Sequence, residues 1–208
     1  MKLVLVRHGR PDEEDRECPH DPPLRADGRA QAHDVAKRLA QENITRIISS
    51  PMTRALQTAE PLAKRLGLAI ETVDGWAEAD RHVDRYRSTE TLRALGESEW
   101  SRFLEDPIAF FGGDAAAFRG GVLGALNSTI GELRSDAHIA VFTHGLPINV
   151  VLSHALGLPR LVHFSPGYAS MTRLRALPGG AIGVASVNER NHLPPMVKPA
   201  RVARNPSD

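Results

Sequence analysis

Short apolar runs alternate along the chain with longer segments in which apolar residues recur every three or four positions. A run of four to eight apolar or β-branched residues is typical of a buried strand. Runs of this kind predict six strands, at residues 2–6, 44–49, 69–73, 139–142, 170–177 and 182–187. The last two flank the turn signal Pro178-Gly179-Gly180, which predicts a hairpin.

The segments with helical spacing lie between these runs. The first predicted helix starts near Asp27, whose carboxylate is a typical N-cap. A second starts at Ser50-Pro51, a capping hydroxyl followed by proline, and ends at Gly67. Further helical patterns cover residues 88–105, residues 115–133, and a segment after Gly145 that has Pro147 near its start and Gly157 at its end. A loop with Pro107 and Gly112-Gly113 is expected between the two middle ones.

Strands that alternate with helices predict an α/β fold, with helices on both faces of a mostly parallel sheet. We therefore expect a three-layer α/β/α sandwich. The pattern predicts one domain over residues 1–193, with a helical insert at about 88–134. The proline-rich segment 194–208 is expected to form an irregular tail.

Composition and charge narrow the possible functions. The 26 Lys and Arg residues nearly balance the 25 Asp and Glu residues, which gives a net charge of +1. This balance argues against nucleic acid or a membrane surface as a partner. The single cysteine, Cys18, excludes an intramolecular disulfide, and no apolar run approaches the roughly 20 residues of a membrane span. We expect a cytoplasmic protein.

Two predicted strands end in similar triplets, Arg7-His8-Gly9 and Thr143-His144-Gly145. Ligands of parallel α/β folds bind beyond the carboxyl ends of the strands. Arg54 lies in the first turn of the helix after the second strand, so it is expected at the same edge. Arginine suits a tetrahedral anion because its planar guanidinium donates two hydrogen bonds at once. Arg7, Arg54 and His144 are therefore candidates to bind one phosphate beside His8.

The chain resembles the histidine phosphatase superfamily, which has the phosphoglycerate mutase-like fold. Four blocks carry the resemblance, in the family's order: Arg7-His8-Gly9, LRADGRAQA at 24–32, SSPMTRALQTA at 49–59, and Thr143-His144-Gly145. The resemblance extends over roughly residues 2–190. The triplet alone would be weak support, but four ordered blocks in the expected structural setting are strong support.

The resemblance implies a role for each matching residue. His8 would be the nucleophile that takes the phosphoryl group, and Arg7, Arg54 and His144 would bind it. An acidic residue after the third strand would protonate the leaving group, and Glu78 matches the family's register best. Asp80 is the alternative. Because the arginines already supply positive charge, no metal or other cofactor is expected.

The loop after the first triplet departs from the family pattern. Where many relatives place a phosphate-contacting Asn, this chain has Glu14, within an acidic stretch at 12–15. Arg10 could supply the missing contact, and Gly9 would let phosphate approach the backbone. If the acidic stretch borders the pocket, it would disfavour polyanionic substrates; the alternative is a solvated loop tip.

The expected function is hydrolysis of a small phosphorylated metabolite through a phosphohistidine. Two alternatives remain: phosphoglycerate mutase-type transfer, and a non-catalytic module that recognises phosphate. The resemblance also makes a homodimer possible.

Two further features concern the surroundings of the pocket. Trp76 and Trp100 either line the substrate side or pack in the interior, and residues 188–192 are expected to close the pocket's edge.

Overall fold

A computed structural model of the chain describes residues 1–131, 137–177 and 180–195. The described residues form six strands: β1 (Lys2–Arg7), β2 (Arg46–Ser49), β3 (Ile70–Thr72), β4 (His138–Thr143), β5 (Met171–Ala176) and β6 (Ile182–Glu189). Every predicted strand is present, with ends shifted by a few residues. Two of the three residues of the predicted hairpin turn, 178–179, lie outside the described residues, as does most of the predicted tail, 196–208.

The six strands form one sheet in the order β3-β2-β4-β1-β5-β6. The strands β1, β2, β3 and β4 are parallel, β5 is antiparallel to β1, and β6 is antiparallel to β5. The helices are α1 (Ala26–Leu39), α2 (Thr53–Leu66), α3 (Thr89–Ala94), α4 (Glu97–Glu105), α5 (Pro107–Phe110), α6 (Ala115–Gly131) and α7 (Gly145–Leu156).

The sheet is covered on both faces, which explains why its central strands are apolar without interruption. Successive strand side chains point to opposite faces. In β1, Val4 and Val6 join a cluster with residues of α1 and α2, whereas Leu3 and Leu5 join a second cluster with residues of α6 and α7. The expected three-layer α/β/α sandwich is confirmed.

The predicted insert is a series of helices between β3 and β4, and it differs from the pattern in two places. The helix expected at 88–105 is interrupted because Gly96 has a φ of +121°, a conformation outside the helical region that glycine tolerates. Pro107, expected in a loop, instead opens α5. The Asp106 carboxylate caps this helix by accepting hydrogen bonds from the backbone N–H groups of Ile108 and Ala109. The end of the predicted insert, 132–134, lies outside the described residues.

The first helix also starts differently from the prediction. It begins at Ala26, with Arg25 at the N-cap, so Asp27 lies in its first turn. The Asp27 carboxylate still favours this helix end, because negative charge near the N-terminus interacts well with the helix dipole. It also accepts hydrogen bonds from the side chains of Arg10 and Arg25.

The start of α1 holds the loop after β1 in place through two glycines. A Cβ atom at Gly28 would lie 2.0 Å from the carbonyl oxygen of Arg10, and one at Gly9 would lie 2.5 Å from the carbonyl oxygen of Gly28. Both distances are far shorter than a normal contact, so the two backbones approach as only glycines allow. The backbone immediately after His8 is therefore positioned by α1.

We expect Gly28→Ala to lower the free energy of unfolding by about 2 kcal/mol, because the new methyl group must push the backbone at Arg10 away. The displaced loop should also lower catalytic activity. The control is Gly120→Ala in α6, where a Cβ has open space and the change should be neutral or stabilising by about 1 kcal/mol. Urea unfolding of both variants measures the difference, and equal effects would contradict the prediction.

Candidate active site

The register of the sheet brings the two predicted histidines together. Arg7, the last residue of β1, pairs with Thr143, the last residue of β4. The backbone N–H of His8 donates to the carbonyl oxygen of Thr143 at 2.9 Å. The ring centroids of His8 and His144 are consequently 5.1 Å apart, at the carboxyl ends of two neighbouring strands.

The His8 ring is held in one tautomer. Its Nδ1 lies 2.8 Å from the carbonyl oxygen of Gly9. A carbonyl can only accept a hydrogen bond, so Nδ1 carries the proton and Nε2 keeps its lone pair. Burial lowers the pKa of His8 well below its ordinary value, and the charges of Arg54 and Arg7 lower it further. The ring is therefore neutral at physiological pH, as a nucleophile must be.

His144 is fully buried beside His8. Its Nε2 lies 2.8 Å from the hydroxyl oxygen of Ser50, and that oxygen also accepts a hydrogen bond from the backbone N–H of Met52. The Nδ1 atom of His144 is buried without a hydrogen-bond partner among the described residues. Buried polar atoms are normally paired, so this nitrogen is a candidate to contact a bound anion.

Arg54 is fully buried and held by two carboxylates. One terminal nitrogen lies 2.8 Å from Asp80 and the other lies 3.3 Å from Asp21. Its guanidinium carbon also lies 4.5 Å from the ring centroid of Tyr86. These contacts offset the cost of burying the charge and fix the guanidinium in one orientation.

Arg7 is fixed in a similar way by its own set of contacts. Its terminal nitrogen donates to the carbonyl oxygen of Pro166 at 2.6 Å, and its guanidinium carbon lies 4.3 Å from the ring centroid of Tyr168. The Nε atoms of Arg7 and Arg54 have no hydrogen-bond partner among the described residues. Each arginine therefore retains hydrogen-bonding capacity for an anion.

Glu78 follows a short 3₁₀ helix (Asp74–Trp76) after β3. One carboxyl oxygen accepts from the backbone N–H of Leu146 at 3.1 Å, and the other accepts from that of Ala79 at 3.1 Å. Burial raises the pKa of Glu78 to about 7, with a further contribution from the negative charge of Asp80. A carboxyl group with this pKa can give and take a proton near neutral pH.

Asp80, the alternative proton donor, is placed differently. It is buried, and its carboxylate pairs with the guanidinium of Arg54. Its oxygen, 2.8 Å from the guanidinium, provides the counter-charge of a fully buried cation and fixes the orientation of that cation. The geometry therefore favours Glu78 as the acid and gives Asp80 the task of orienting Arg54.

Removal of Asp80 should destabilise the protein strongly. We expect Asp80→Ala to lower the free energy of unfolding by about 3 kcal/mol or more, because it leaves a buried guanidinium without its nearest counter-charge. The control is Glu71→Ala, which breaks the partly exposed pair with Arg46 and should cost about 1 kcal/mol or less. Chemical denaturation measures the free energy of unfolding of both variants. A similar small loss in each would refute the role of Asp80 as the counter-charge of the buried Arg54.

Most of the residues described above border one cavity of about 300 Å³. Arg7, His8, Arg54 and Glu78 line it together with Asp80. His144 contacts the His8 ring but is not among the residues that line the cavity. Trp100 and Arg190 also line it, whereas Trp76 is fully buried in the core beneath the sheet.

Gly9 and Arg10, both expected to contact phosphate, are not brought to this cavity. The backbone N–H of Gly9 donates to the hydroxyl of Thr58 at 2.9 Å, so it is not available to an anion. The Arg10 guanidinium turns toward Asp27, 3.4 Å away. The contact of Gly9 is with α2 and that of Arg10 is with α1, so both departures follow from the packing of this loop against the two helices.

The acidic stretch 12–15 does not line the cavity either. Glu14 is exposed, and Glu13 accepts hydrogen bonds from the backbone N–H of Ser88 and the hydroxyl of Thr91. The stretch therefore anchors the start of the helical insert. The condition for a bias against polyanionic substrates, an acidic stretch at the border of the cavity, is therefore not met.

Several site residues had no signal in the sequence. Ser50 and Thr58 lie within the recognised block 49–59, but their hydrogen bonds to His144 and to Gly9 depend on the fold. Tyr86 and Tyr168 come from distant segments and meet the two arginines only in three dimensions.

Within the ranges described, no three His, Cys, Asp or Glu side chains converge as a metal site, and no helix is long and apolar enough to cross a bilayer.

Comparison with known proteins agrees with this arrangement. Residues 3–189 match the profile of the histidine phosphatase superfamily, branch 1. The chain is 31% identical over 166 residues to a probable phosphoglycerate mutase GpmB of Yersinia enterocolitica, and 32% identical over 166 residues to one of Proteus mirabilis. Each match covers 76% of this chain and 76% of the relative.

Solved structures show the same fold. A phosphoserine phosphatase of Entamoeba histolytica, in complex with 3-phosphoglyceric acid, superposes with a TM-score of 0.72 at 25% identity, over 92% of this chain and 98% of that one. A mycobacterial glucosyl-3-phosphoglycerate phosphatase superposes with a TM-score of 0.76 at 22% identity, over 91% and 99%. This chain belongs to the histidine phosphatase superfamily, branch 1, and is an enzyme of the histidine phosphatase type.

Proposed function

We propose that this protein hydrolyses small phosphomonoesters through a phosphohistidine on His8, without a metal ion. The observation that carries the proposal is the hydrogen bond from His8 Nδ1 to the carbonyl oxygen of Gly9. It leaves the lone pair of Nε2 available in a cavity that two fixed arginines border. A neutral imidazole beside an anion site is the arrangement that attack on phosphorus requires.

The first step forms a P–N bond at His8 Nε2 while the bond from phosphorus to the ester oxygen breaks. Arg7 and Arg54 line the cavity and neutralise charge on the three transferring oxygens. His144, whose ring centroid lies 5.1 Å from that of His8, would contact one of these oxygens through its unpaired Nδ1 when the anion binds against His8. Protonated Glu78 donates its proton to the departing oxygen, so the leaving group departs as a neutral alcohol.

The second step regenerates the enzyme. The Glu78 carboxylate accepts a proton from water as the water oxygen attacks phosphorus. The P–N bond breaks, His8 returns to its neutral form, and inorganic phosphate leaves. The pKa of about 7 suits Glu78 to both directions of proton transfer.

A second candidate is phosphoglycerate mutase-type transfer, which the names of the relatives at 31% and 32% identity favour. In that reaction the phosphohistidine would pass its phosphoryl group back to a bound phosphoglycerate rather than to water. Hydrolysis and transfer share the first step and differ only in the acceptor.

The two candidates are separated by incubating the enzyme with 3-phosphoglycerate and with n-propyl phosphate in excess EDTA. Release of inorganic phosphate that the chelator does not reduce supports the proposed hydrolase. Formation of 2-phosphoglycerate with little release of phosphate would replace it by the mutase. Complete inactivation by EDTA would overturn the metal-independent mechanism.

A further inference from the structure

The cavity has a second half that the phosphoryl chemistry does not use. Beyond the phosphate end, its wall is made of large apolar side chains, chiefly Leu92, Trp100, Phe103, Phe111, Leu146 and Phe164. They come from the helical insert, from the start of α7 and from the segment after it. Several of them also form a small apolar cluster that is separate from the two clusters on the faces of the sheet.

The aromatic rings of this wall hold one another in place. Trp100 stacks on Phe103 with centroids 5.4 Å apart, and Phe111 meets Phe103 edge-on at 6.0 Å. The guanidinium of Arg93 lies over the Trp100 ring, 4.6 Å from its centroid. Contacts of this kind fix ring orientation, so the apolar surface exists before any ligand arrives.

The position of Glu78 directs the leaving group toward this wall. A proton donor must lie next to the oxygen that it protonates, so the leaving group departs on the side of Glu78. The Glu78 carboxyl accepts a hydrogen bond from the backbone of Leu146, and the Leu146 side chain belongs to the apolar cluster. The carbon atoms attached to the ester oxygen therefore meet the apolar wall first.

Four further charged residues line the cavity. Arg87 and Arg93 are exposed, Arg190 is half-buried, and Glu90 accepts a hydrogen bond from the hydroxyl of Tyr168, the ring that lies against Arg7 at the phosphate end. Leu92 and Phe103, which also line the cavity, are in contrast almost completely buried. Small-molecule sites of this kind obtain affinity from the apolar interior and orientation from a few polar groups.

We infer that this wall is a subsite for an aromatic or similarly planar apolar leaving group, so that the preferred substrates are phosphomonoesters of alcohols carrying such a group. This inference rests on the proposed function for the phosphate end. Burial of a phenyl-sized group is expected to raise kcat/KM about 10- to 100-fold over an ester that lacks it.

The test compares n-propyl phosphate with 3-phenylpropyl phosphate. The phenyl ring is three carbons from the ester oxygen, so the two alcohols differ little in acidity and a difference in rate reports binding. The matching phosphonates, which cannot be hydrolysed, provide dissociation constants by calorimetry without any catalysis. We expect the phenylpropyl compound to be favoured about 10- to 100-fold in both measurements.

Variants of the wall supply the controls. Trp100→Ala should reduce the preference for the phenylpropyl compound several-fold with little change for the propyl compound, and Trp100→Phe should retain most of it. Leu104→Ala, on the same helix but exposed and outside the cavity lining, should leave the preference unchanged. Circular dichroism confirms that each variant is folded.

The outcomes separate this inference from the proposed function. Hydrolysis of both esters at equal kcat/KM, or a preference that survives Trp100→Ala intact, would overturn the subsite. A phosphonate preference that depends on Trp100, without hydrolysis of either ester, would support the subsite and overturn the hydrolase.

Discussion

Replacement of His8 by alanine is expected to lower kcat for every phosphomonoester by about 10⁴-fold or more, because the residue that forms the covalent intermediate is lost. Arg7 and Arg54 remain, each held by partners other than the His8 side chain. The variant should therefore still bind inorganic phosphate. Steady-state kinetics and calorimetry with phosphate measure the two effects.

A matched substitution tests whether the loss is specific. His154 is exposed near the end of α7 and outside the cavity lining, so His154→Ala should leave kcat unchanged. A His8→Ala enzyme that retains more than about a tenth of the activity would exclude His8 as the nucleophile. In that case the phosphoryl group passes to water either directly or through a different residue.

Glu78→Gln should have the second largest effect, and its size should depend on the leaving group. For an alkyl phosphate we expect kcat to fall about 10²- to 10⁴-fold, because the departing alkoxide needs a proton. For p-nitrophenyl phosphate, whose phenolate is stable as an anion, the formation of the intermediate should be much less affected. Release of p-nitrophenol in the pre-steady state separates this step from the later attack of water.

The pH dependence follows from the direction of each pKa shift. Glu78 must be protonated to act as the acid, so kcat/KM should fall as the pH rises through about 7. His8 must be neutral, and its pKa lies well below 6.5, so its protonation should reduce the rate only in clearly acidic solution. Glu78→Gln should abolish the fall above pH 7, while Glu14→Gln, at an exposed position, should preserve it. A fall that persists in Glu78→Gln belongs to another group.

The fold was predictable from the sequence because its central strands are buried on both faces. A strand such as β1 then consists of consecutive apolar residues that stand out from the periodic helices. The positions of His8 and His144 followed from the same signal, because both directly follow such strands. Strand ends in a parallel sheet lie at one edge, so no further information was needed to bring them together.

Contacts between distant segments were not predictable in the same way. The sequence assigned Gly9 and Arg10 to phosphate, yet the close approach of Gly9 to Gly28 turns this loop toward α1. Likewise, nothing in the local pattern pairs Asp80 with Arg54, because that ion pair joins residues 26 positions apart. Such contacts depend on how loops cross the sheet edge, and the hydrophobic pattern does not encode that path.

The helical insert shows the same limit on a larger scale. Its apolar positions predicted helices, but the predicted helix at 88–105 is divided into α3 and α4 by the backbone conformation of Gly96. The helix α5, which was not predicted, begins after the N-cap Asp106. The two tryptophans illustrate the consequence. Trp76 is in the core and Trp100 lines the cavity, a difference that depends on the tertiary arrangement of the insert.

Trapping of the intermediate tests the central claim most directly. The enzyme is mixed with p-nitrophenyl phosphate, quenched with alkali within milliseconds, digested and analysed by mass spectrometry, since phosphohistidine is stable to alkali and labile to acid. We predict one phosphoryl group on the peptide that contains His8, its accumulation in Glu78→Gln and its absence in His8→Ala. Rapid turnover with no phosphorylated peptide, or phosphate on a different residue, would contradict the account.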